Sequence, residues 1–308
     1  MKKILFLENI HERTFTWLKN HNEIEVVFIN EILEQEFEEI DGIVTRGIGI
    51  VNEELLAKCP QLSVVVRCGV GLDNIATETC KSKNIKVIYA PGSNAQTTAE
   101  HTLALMLNLQ RNIFKAISDV KNGNWHFRNQ HTSDELYGKT LGILGLGNIG
   151  YRVAKMAEAF GMHVVYWSKN PKENEFKFLP FDDLLKISDV LSIHLPLNNQ
   201  TQNLFNKSAF VKCKKGVLIV NTARANIFQK EELIQALDNG TVGGYAADVP
   251  MSPMPKSGDP LNEHNKTLIT PHVSSLTEAT YYKMCQFTIE NLVKVLCNET
   301  PDPNSILK

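Results

Sequence analysis

The chain has 308 residues, 43% hydrophobic and 21% charged, with a formal net charge of −2. This composition suits two packed domains and excludes a disordered chain, and without a long basic run nucleic-acid binding has no electrostatic footprint. Only four apolar residues stand between Lys3 and Glu8, too few for a secretory leader, and no stretch approaches the ~20 apolar residues of a membrane span.

Over the first ninety residues the strand-like runs KILFL, IEVVFI, DGIVT, LSVVV and IKVIYA alternate with the helix-like TFTWLKNH and NEELLAKC. That alternation predicts a parallel sheet covered by helices. The chain breaks at Ala90-Pro91-Gly92. TTAEHTLALMLNLQRNIFKAI then predicts one long helix, apolar on one face and of a length that suits an interdomain element. A second alternating series follows. KTLGIL, HVVYW, VLSIHL, GVLIVNT, GGYAADV and TLITPH read as strands, and YRVAKMAEAF, FDDLLKI, KSAFVKC and KEELIQALDNG as helices. Gly161 is placed to stop YRVAKMAEAF as a C-cap glycine. After Pro271 the chain reads as helical to about Leu296. The expected class is α/β, with two doubly wound parallel-sheet domains.

The strand KTLGIL runs into GLGNIG, Gly145 to Gly150, and a helix follows. In that context the pattern is a dinucleotide fingerprint. Gly145 permits the tight turn, Gly147 lets backbone approach a pyrophosphate, and Gly150 lets helix and strand pack closely. The helix N-terminus offers N–H groups to the phosphates. An NAD site usually has an acid about 20 residues further on, at the end of the next strand. Here Ser168-Lys169-Asn170-Pro171 occupies that place. A hydroxyl and an ammonium suit a 2′-phosphate better than a bare diol, so the expected cofactor is NADP(H) rather than NAD(H).

Six scattered cysteines, Cys59, Cys68, Cys80, Cys213, Cys285 and Cys297, form no C-x-x-C pair and no zinc-ligand spacing. They read as free thiols in a reducing compartment, and no metal is expected. The expected localisation is cytoplasmic.

Several further segments carry a resemblance. VVRCGVGLDNI, SNAQTTAEHTLALML, LYGKTLGILGLGNIG, IHLPLNNQTQNLFN, VNTARANIF and ITPHVSSLTEAT, in that order, resemble the motifs of the D-isomer-specific 2-hydroxyacid dehydrogenase family. The resemblance implies a Rossmann cofactor domain, 93–275, inserted into a flavodoxin-like substrate domain, 1–92 and 276–308. It also implies an active site in the cleft between them and a homodimer held largely through the cofactor domains. Carried over by position, Val70 and Gly71 would hold the substrate carboxylate through backbone N–H groups. Arg224 would bind the same carboxylate and polarise the adjacent carbonyl with its planar fork. His272 would donate a proton to the carbonyl oxygen. Asp248 would accept a hydrogen bond from the nicotinamide carboxamide; at a strand end it could instead cap a loop. Asn148 and Ile149 would cradle pyrophosphate. His194, Pro196 and Thr201 would line the adenine-nucleotide side, and Thr98, Thr222 and Ala223 complete the cofactor set. His101 reads as a packed helix residue rather than a catalytic one.

The chain departs from the family where a glutamate usually partners the histidine. Five residues after Asp248 stands Pro253, with Asp259-Pro260-Leu261 following at the spacing that the resemblance implies. Asp259, Glu263 and Glu278 are the nearest acids, but none matches that position. Without a carboxylate beside it, His272 is expected to titrate near the ordinary ~6.5, or lower if buried. Reduction needs the protonated ring, so its rate should fall as pH rises through that range. Ala225-Asn226 also replace the glycines that often follow the arginine.

The expected activity is reduction of a 2-oxo acid, or oxidation of the matching D-2-hydroxy acid. A phosphoglycerate dehydrogenase is the weaker expectation, because no extra C-terminal domain is present. The alternative is a catalytically weak or inactive dinucleotide-binding regulator.

Overall fold

The computed structural model describes residues 1–171, 173–251 and 257–307. Contacts divide the chain into two compact units, Met1–Asn94 with Ser275–Lys308, and Ala95–Ser274.

The first unit contains strand β1 (Lys2–Phe6), helix α1 (Glu12–Lys19), β2 (Ile24–Phe28), β3 (Ile40–Thr45), α2 (Glu53–Lys58), β4 (Val64–Arg67), α3 (Thr77–Ser82) and β5 (Lys86–Ile88). The sheet order is β2-β1-β3-β4-β5, with every pairing parallel. This is the flavodoxin-like order. Successive strand residues point to opposite faces, and both faces are buried. Ile4, Phe6, Val64 and Val66 join one core with Cys285, Ile289 and Leu292 of the C-terminal helix. Leu5, Ile43 and Val65 join the other. That two-sided burial explains why these strands are continuous apolar runs.

The second unit contains α4 (Ala95–Arg111), α5 (Ile113–Lys121), β6 (Thr140–Leu144), α6 (Asn148–Ala159), β7 (His163–Trp167), β8 (Lys177–Phe178) and α7 (Phe181–Ile187). It continues with β9 (Val190–Ile193), α8 (Lys207–Lys212), β10 (Val217–Asn221), α9 (Lys230–Asp238), β11 (Val242–Ala247) and β12 (Thr267–Ile269). Its sheet order is β12-β11-β10-β9-β6-β7-β8, again parallel throughout. This is the Rossmann order with one more strand. The order reverses between β6 and β9, the switch point where such sheets bind ligands. Leu141 and Ile143 pack toward α4 and α6 residues, while Leu144 packs on the opposite face.

Three elements differ from the sequence expectation. The predicted long helix is two helices, because Asn112 adopts a left-handed φ of 50°. The Asn108 side chain then accepts the Phe114 N–H at 2.9 Å, capping the second helix locally. The C-terminal helix, α10, spans Glu278–Leu296 and starts later than Pro271, with Thr277 as its N-cap. The two-residue strand β8 is too short to leave a periodic signal. Helix α6 ends as expected before Gly161, whose φ is 74°.

Candidate functional site

The glycine turn lies at the switch point. Gly145 has φ 96°, and a Cβ there would sit 2.7 Å from the His194 carbonyl oxygen, just past β9. A Cβ on Gly150 would collide with the Gly145 carbonyl oxygen. Both positions therefore need glycine for packing. Gly147 differs, since a Cβ there would meet no atom within 4 Å. It caps α6 at a place where the backbone faces open space, and Asn148 and Ile149 begin that helix.

A cavity of about 590 Å³ opens beside this turn. Gly145, Gly147, Ser168, Lys169, His194, Pro196 and Thr201 all line it. A larger cavity, about 810 Å³, lies in the first unit along α10 and Ala90-Pro91. It lacks the glycine turn, so the smaller one is the dinucleotide candidate.

Among the described residues, three buried side-chain atoms of the second unit have no hydrogen-bond partner, Thr98 Oγ1, His131 Nδ1 and His194 Nδ1. Such atoms are costly unless something pairs with them. His194 Nε2 lies 2.8 Å from Ser192 Oγ. Desolvation pushes the His194 pKa down from 6.5 to about 3, so this ring is a neutral hydrogen-bonding group. Open backbone at Gly147, N–H groups at the start of α6 and the orphaned atoms of Thr98 and His194 fit a dinucleotide.

The residues at the end of β7 carry structural bonds as well. Ser168 Oγ accepts the Leu146 N–H at 3.0 Å and so ties the glycine turn to the β7 end. Lys169 Nζ donates to Gln200 Oε1 at 2.5 Å. Thr201 Oγ1 donates to the Pro196 carbonyl at 2.6 Å and accepts the Asn198 N–H at 2.9 Å, which closes the loop after β9.

Parallel pairing puts Arg224, Asp248 and His272 beyond the C-terminal ends of β10, β11 and β12. Asn221 Nδ2 donates to the Arg224 carbonyl at 3.0 Å, and Arg224 Nη1 donates to the Ala223 carbonyl at 2.7 Å. Thr222 Oγ1 lies 2.9 Å from Thr102 Oγ1.

His272 has a left-handed φ of 58°. Among the described residues, the other non-glycine residues with positive φ are all asparagines, Asn84, Asn112, Asn203 and Asn298. A histidine there is held against its own preference. Asp248 does the holding. It is fully buried, and its Oδ1 accepts the Thr270 hydroxyl at 2.6 Å and the Val273 N–H at 2.9 Å. Its Oδ2 accepts the Ser274 N–H at 2.8 Å. Asp248 thus caps the loop on both sides of the histidine, a role the strand-end position allowed.

The acids nearest His272 in sequence have partners of their own. Asp259 pairs with Lys230 at 2.6 Å, Glu263 accepts the Gly258 N–H at 2.5 Å, and Glu278 lies 3.0 Å from His11 Nε2. Pro253 itself lies outside the described residues. In the first unit, Val70 and Gly71 follow β4 and are partly exposed. The loop is anchored by Ala90, whose N–H donates to the Gly69 carbonyl at 2.8 Å.

Sequence reading missed the part that His101, Thr270 and Gln200 play. The available signal for His101 was the spacing of three polar residues in α4. Thr98, His101 and Thr102 stand at i, i+3 and i+4 of α4, on one face.

Comparison with known proteins places the chain among its relatives. Residues 103–274 match the family model described as "D-isomer specific 2-hydroxyacid dehydrogenase, NAD binding domain". The chain is 38% identical over 250 residues to a D-3-phosphoglycerate dehydrogenase of Bacillus subtilis, covering 80% of this chain and 47% of that protein. It spans about half the length of several such curated relatives. It is 33% identical to a hydroxypyruvate reductase of Thermotoga maritima, covering 91% of this chain and 93% of that one. A D-lactate dehydrogenase of Aquifex aeolicus, solved with NAD and lactic acid, superposes with a TM-score of 0.88 at 27% identity, covering 96% of each chain. The cofactor class that these matches support is a nicotinamide dinucleotide. With the model matching more than half of its length and a relative aligned nearly end to end, the chain belongs to the D-isomer-specific 2-hydroxyacid dehydrogenase family.

Proposed function

We propose that this protein is an oxidoreductase that reduces a 2-oxo acid, or oxidises the corresponding D-2-hydroxy acid, preferring NADP(H) to NAD(H). The observation that carries the reading is a strained histidine, clamped by a buried aspartate, in the same unit as a glycine turn at the switch point. The bound dinucleotide supplies or accepts the hydride at its nicotinamide ring.

The chain's own residues do the rest. His272 gives its proton to the carbonyl oxygen in reduction and takes it back in oxidation. Arg224 binds the carboxylate and draws electron density from the neighbouring carbonyl. In the first unit, the N–H groups of Val70 and Gly71 are assigned to the same carboxylate. Asp248 Oδ2 has acceptor capacity beyond the Ser274 N–H, which suits a carboxamide. The N–H groups of Asn148 and Ile149 bind phosphate, while Thr98 and His194 satisfy their orphaned atoms on the cofactor. Residues 1–92 and 276–308 act as substrate domain and 93–275 as cofactor domain.

Preference for NADP(H) is supported by the missing carboxylate at Ser168 and by the ammonium at Lys169. A carboxylate there would repel the 2′-phosphate; without one, that discrimination is gone. A homodimer is supported by the apolar face that α5 leaves exposed, Phe114, Ile117 and Val120. Six free thiols suit the cytoplasm. Among the described residues no helix is long and apolar enough to cross a membrane.

One observation favours a second reading, a weak or inactive regulator that senses the dinucleotide. Pro253 stands where the family's glutamate would be. Oxidation of NADPH and NADH with glyoxylate, hydroxypyruvate and pyruvate separates the two. Turnover with any of them, at lower KM for NADPH, is expected. NADPH binding without turnover on any 2-oxo acid would move the assignment to the regulator, and tighter binding of NADH would overturn the NADP(H) preference.

A further inference from the structure

Helix α4 contributes one side chain that touches the histidine loop's clamp. His101 Nε2 lies 3.1 Å from Thr270 Oγ1 and 3.6 Å from Asp248 Oδ1. A threonine hydroxyl has one proton to give. The Thr270 hydroxyl spends it on the Asp248 carboxylate at 2.6 Å rather than on the Ala247 carbonyl at 3.3 Å, since the charged acceptor at shorter range wins. The hydroxyl oxygen can then only accept from His101, so His101 Nε2 carries a proton and donates it. The chain of bonds has one direction, from His101 to Thr270 to Asp248.

We propose that His101 is a positioning residue for His272. Asp248 holds the loop by accepting from residues on both sides of His272, and its Oδ1 is shared between Thr270 and Val273. His101 fixes the rotamer of the Thr270 hydroxyl and, through it, the plane of the carboxylate. That plane decides whether the Val273 and Ser274 N–H groups both find their oxygens. The loop's other ties include a Thr270 N–H bond to the Ala247 carbonyl at 2.8 Å, a His272 N–H bond to the Thr270 carbonyl at 3.0 Å and a Thr97 hydroxyl bond to the Ser274 carbonyl at 3.2 Å. None of these acts on the carboxylate. His101 therefore stabilises the left-handed backbone at His272 from a distance and has no part in proton transfer. Its catalytic consequence rests on the reading of His272 as proton donor.

The test compares His101→Met, which fills the space without a donor, with His101→Gln, whose amide can donate from nearly the same place. Amide hydrogen exchange of residues 270–274 reads the clamp without any need for activity. It should be about tenfold faster in His101→Met and near wild type in His101→Gln. In the same variants, kcat for 2-oxo acid reduction should fall about tenfold and recover, with the dinucleotide Kd unchanged. Unchanged exchange in His101→Met would overturn the proposal, whatever happens to kcat. Faster exchange with unchanged kcat would reduce His101 to a structural residue and overturn it too. If the wild type turns over no 2-oxo acid, the functional reading fails, and the exchange result still decides whether His101 holds the loop. Should His101→Met melt without a cooperative transition, Thr270→Val against Thr270→Ser repeats the comparison one bond further along.

Discussion

The glycine turn and the histidine loop of the second unit are built on opposite principles. The turn is made of backbone: absent side chains at Gly145 and Gly150, open space at Gly147 and a helix N-terminus. The histidine loop is made of side chains brought together from distant parts of the chain. His101 and Thr270 stand 169 residues apart, and Asp248 binds both sides of a residue in a strained conformation. The backbone site is tolerant of what surrounds it and intolerant of a Cβ at Gly145 or Gly150. Side-chain sites behave the other way round, since one missing polar atom leaves its buried partners unpaired.

Substitutions should expose that contrast. The largest effect is expected from Gly150→Val, which drives new methyl groups into the Gly145 carbonyl. Overpacking of this kind costs about 1–3 kcal/mol, enough to weaken dinucleotide binding by roughly tenfold or more. A fluorescence titration at wild-type affinity would show that the turn is not the site. Next, Thr270→Val keeps the volume and removes the hydroxyl that Asp248 accepts. Here kcat should fall about tenfold while dinucleotide Kd stays within about threefold; equal losses in both would mean the two regions act as one.

Ser168→Asp should sharpen the cofactor side. A carboxylate beside Lys169 is expected to weaken NADPH against NADH by roughly tenfold, and an unchanged ratio would place the 2′-phosphate elsewhere. The smallest effect concerns acid stability. With His194 held near pKa 3 in the fold and 6.5 unfolded, the unfolded state binds the extra proton between those values. Stability should therefore decline as pH falls below about 6.5 toward 3. His194→Gln should flatten that limb in thermal melts, and an unaltered slope would show that the buried ring is protonated after all.

The same contrast explains what was legible in the sequence. Both sheets could be read from apolar runs, because strands buried on two faces advertise themselves residue by residue. The glycine turn was legible because it is local, strand then turn then helix. Asn112 was not, since asparagine is unremarkable in a helix until its φ is known. The C-terminal helix was read too early because nothing after Pro271 announces that Asp248 holds 270–274 as a loop. Asp248 offered two readings at a strand end, and the loop-capping one is visible in its bonds. His101 was taken for packing because its partners lie just past the ends of β12 and β11, and no spacing in α4 names them.

The clamped histidine is expected to deliver a proton during reduction. The direct measurement is single-turnover oxidation of bound NADPH by a reactive 2-oxo acid at pH 6 and pH 8, with Arg224→Ala alongside. A faster reaction at pH 6 than at pH 8 is expected of a ring that must carry the proton it gives, with loss of about a hundredfold or more in the Arg224→Ala variant. A rate that stays flat from pH 6 to pH 8, or one that survives the loss of Arg224, would contradict it.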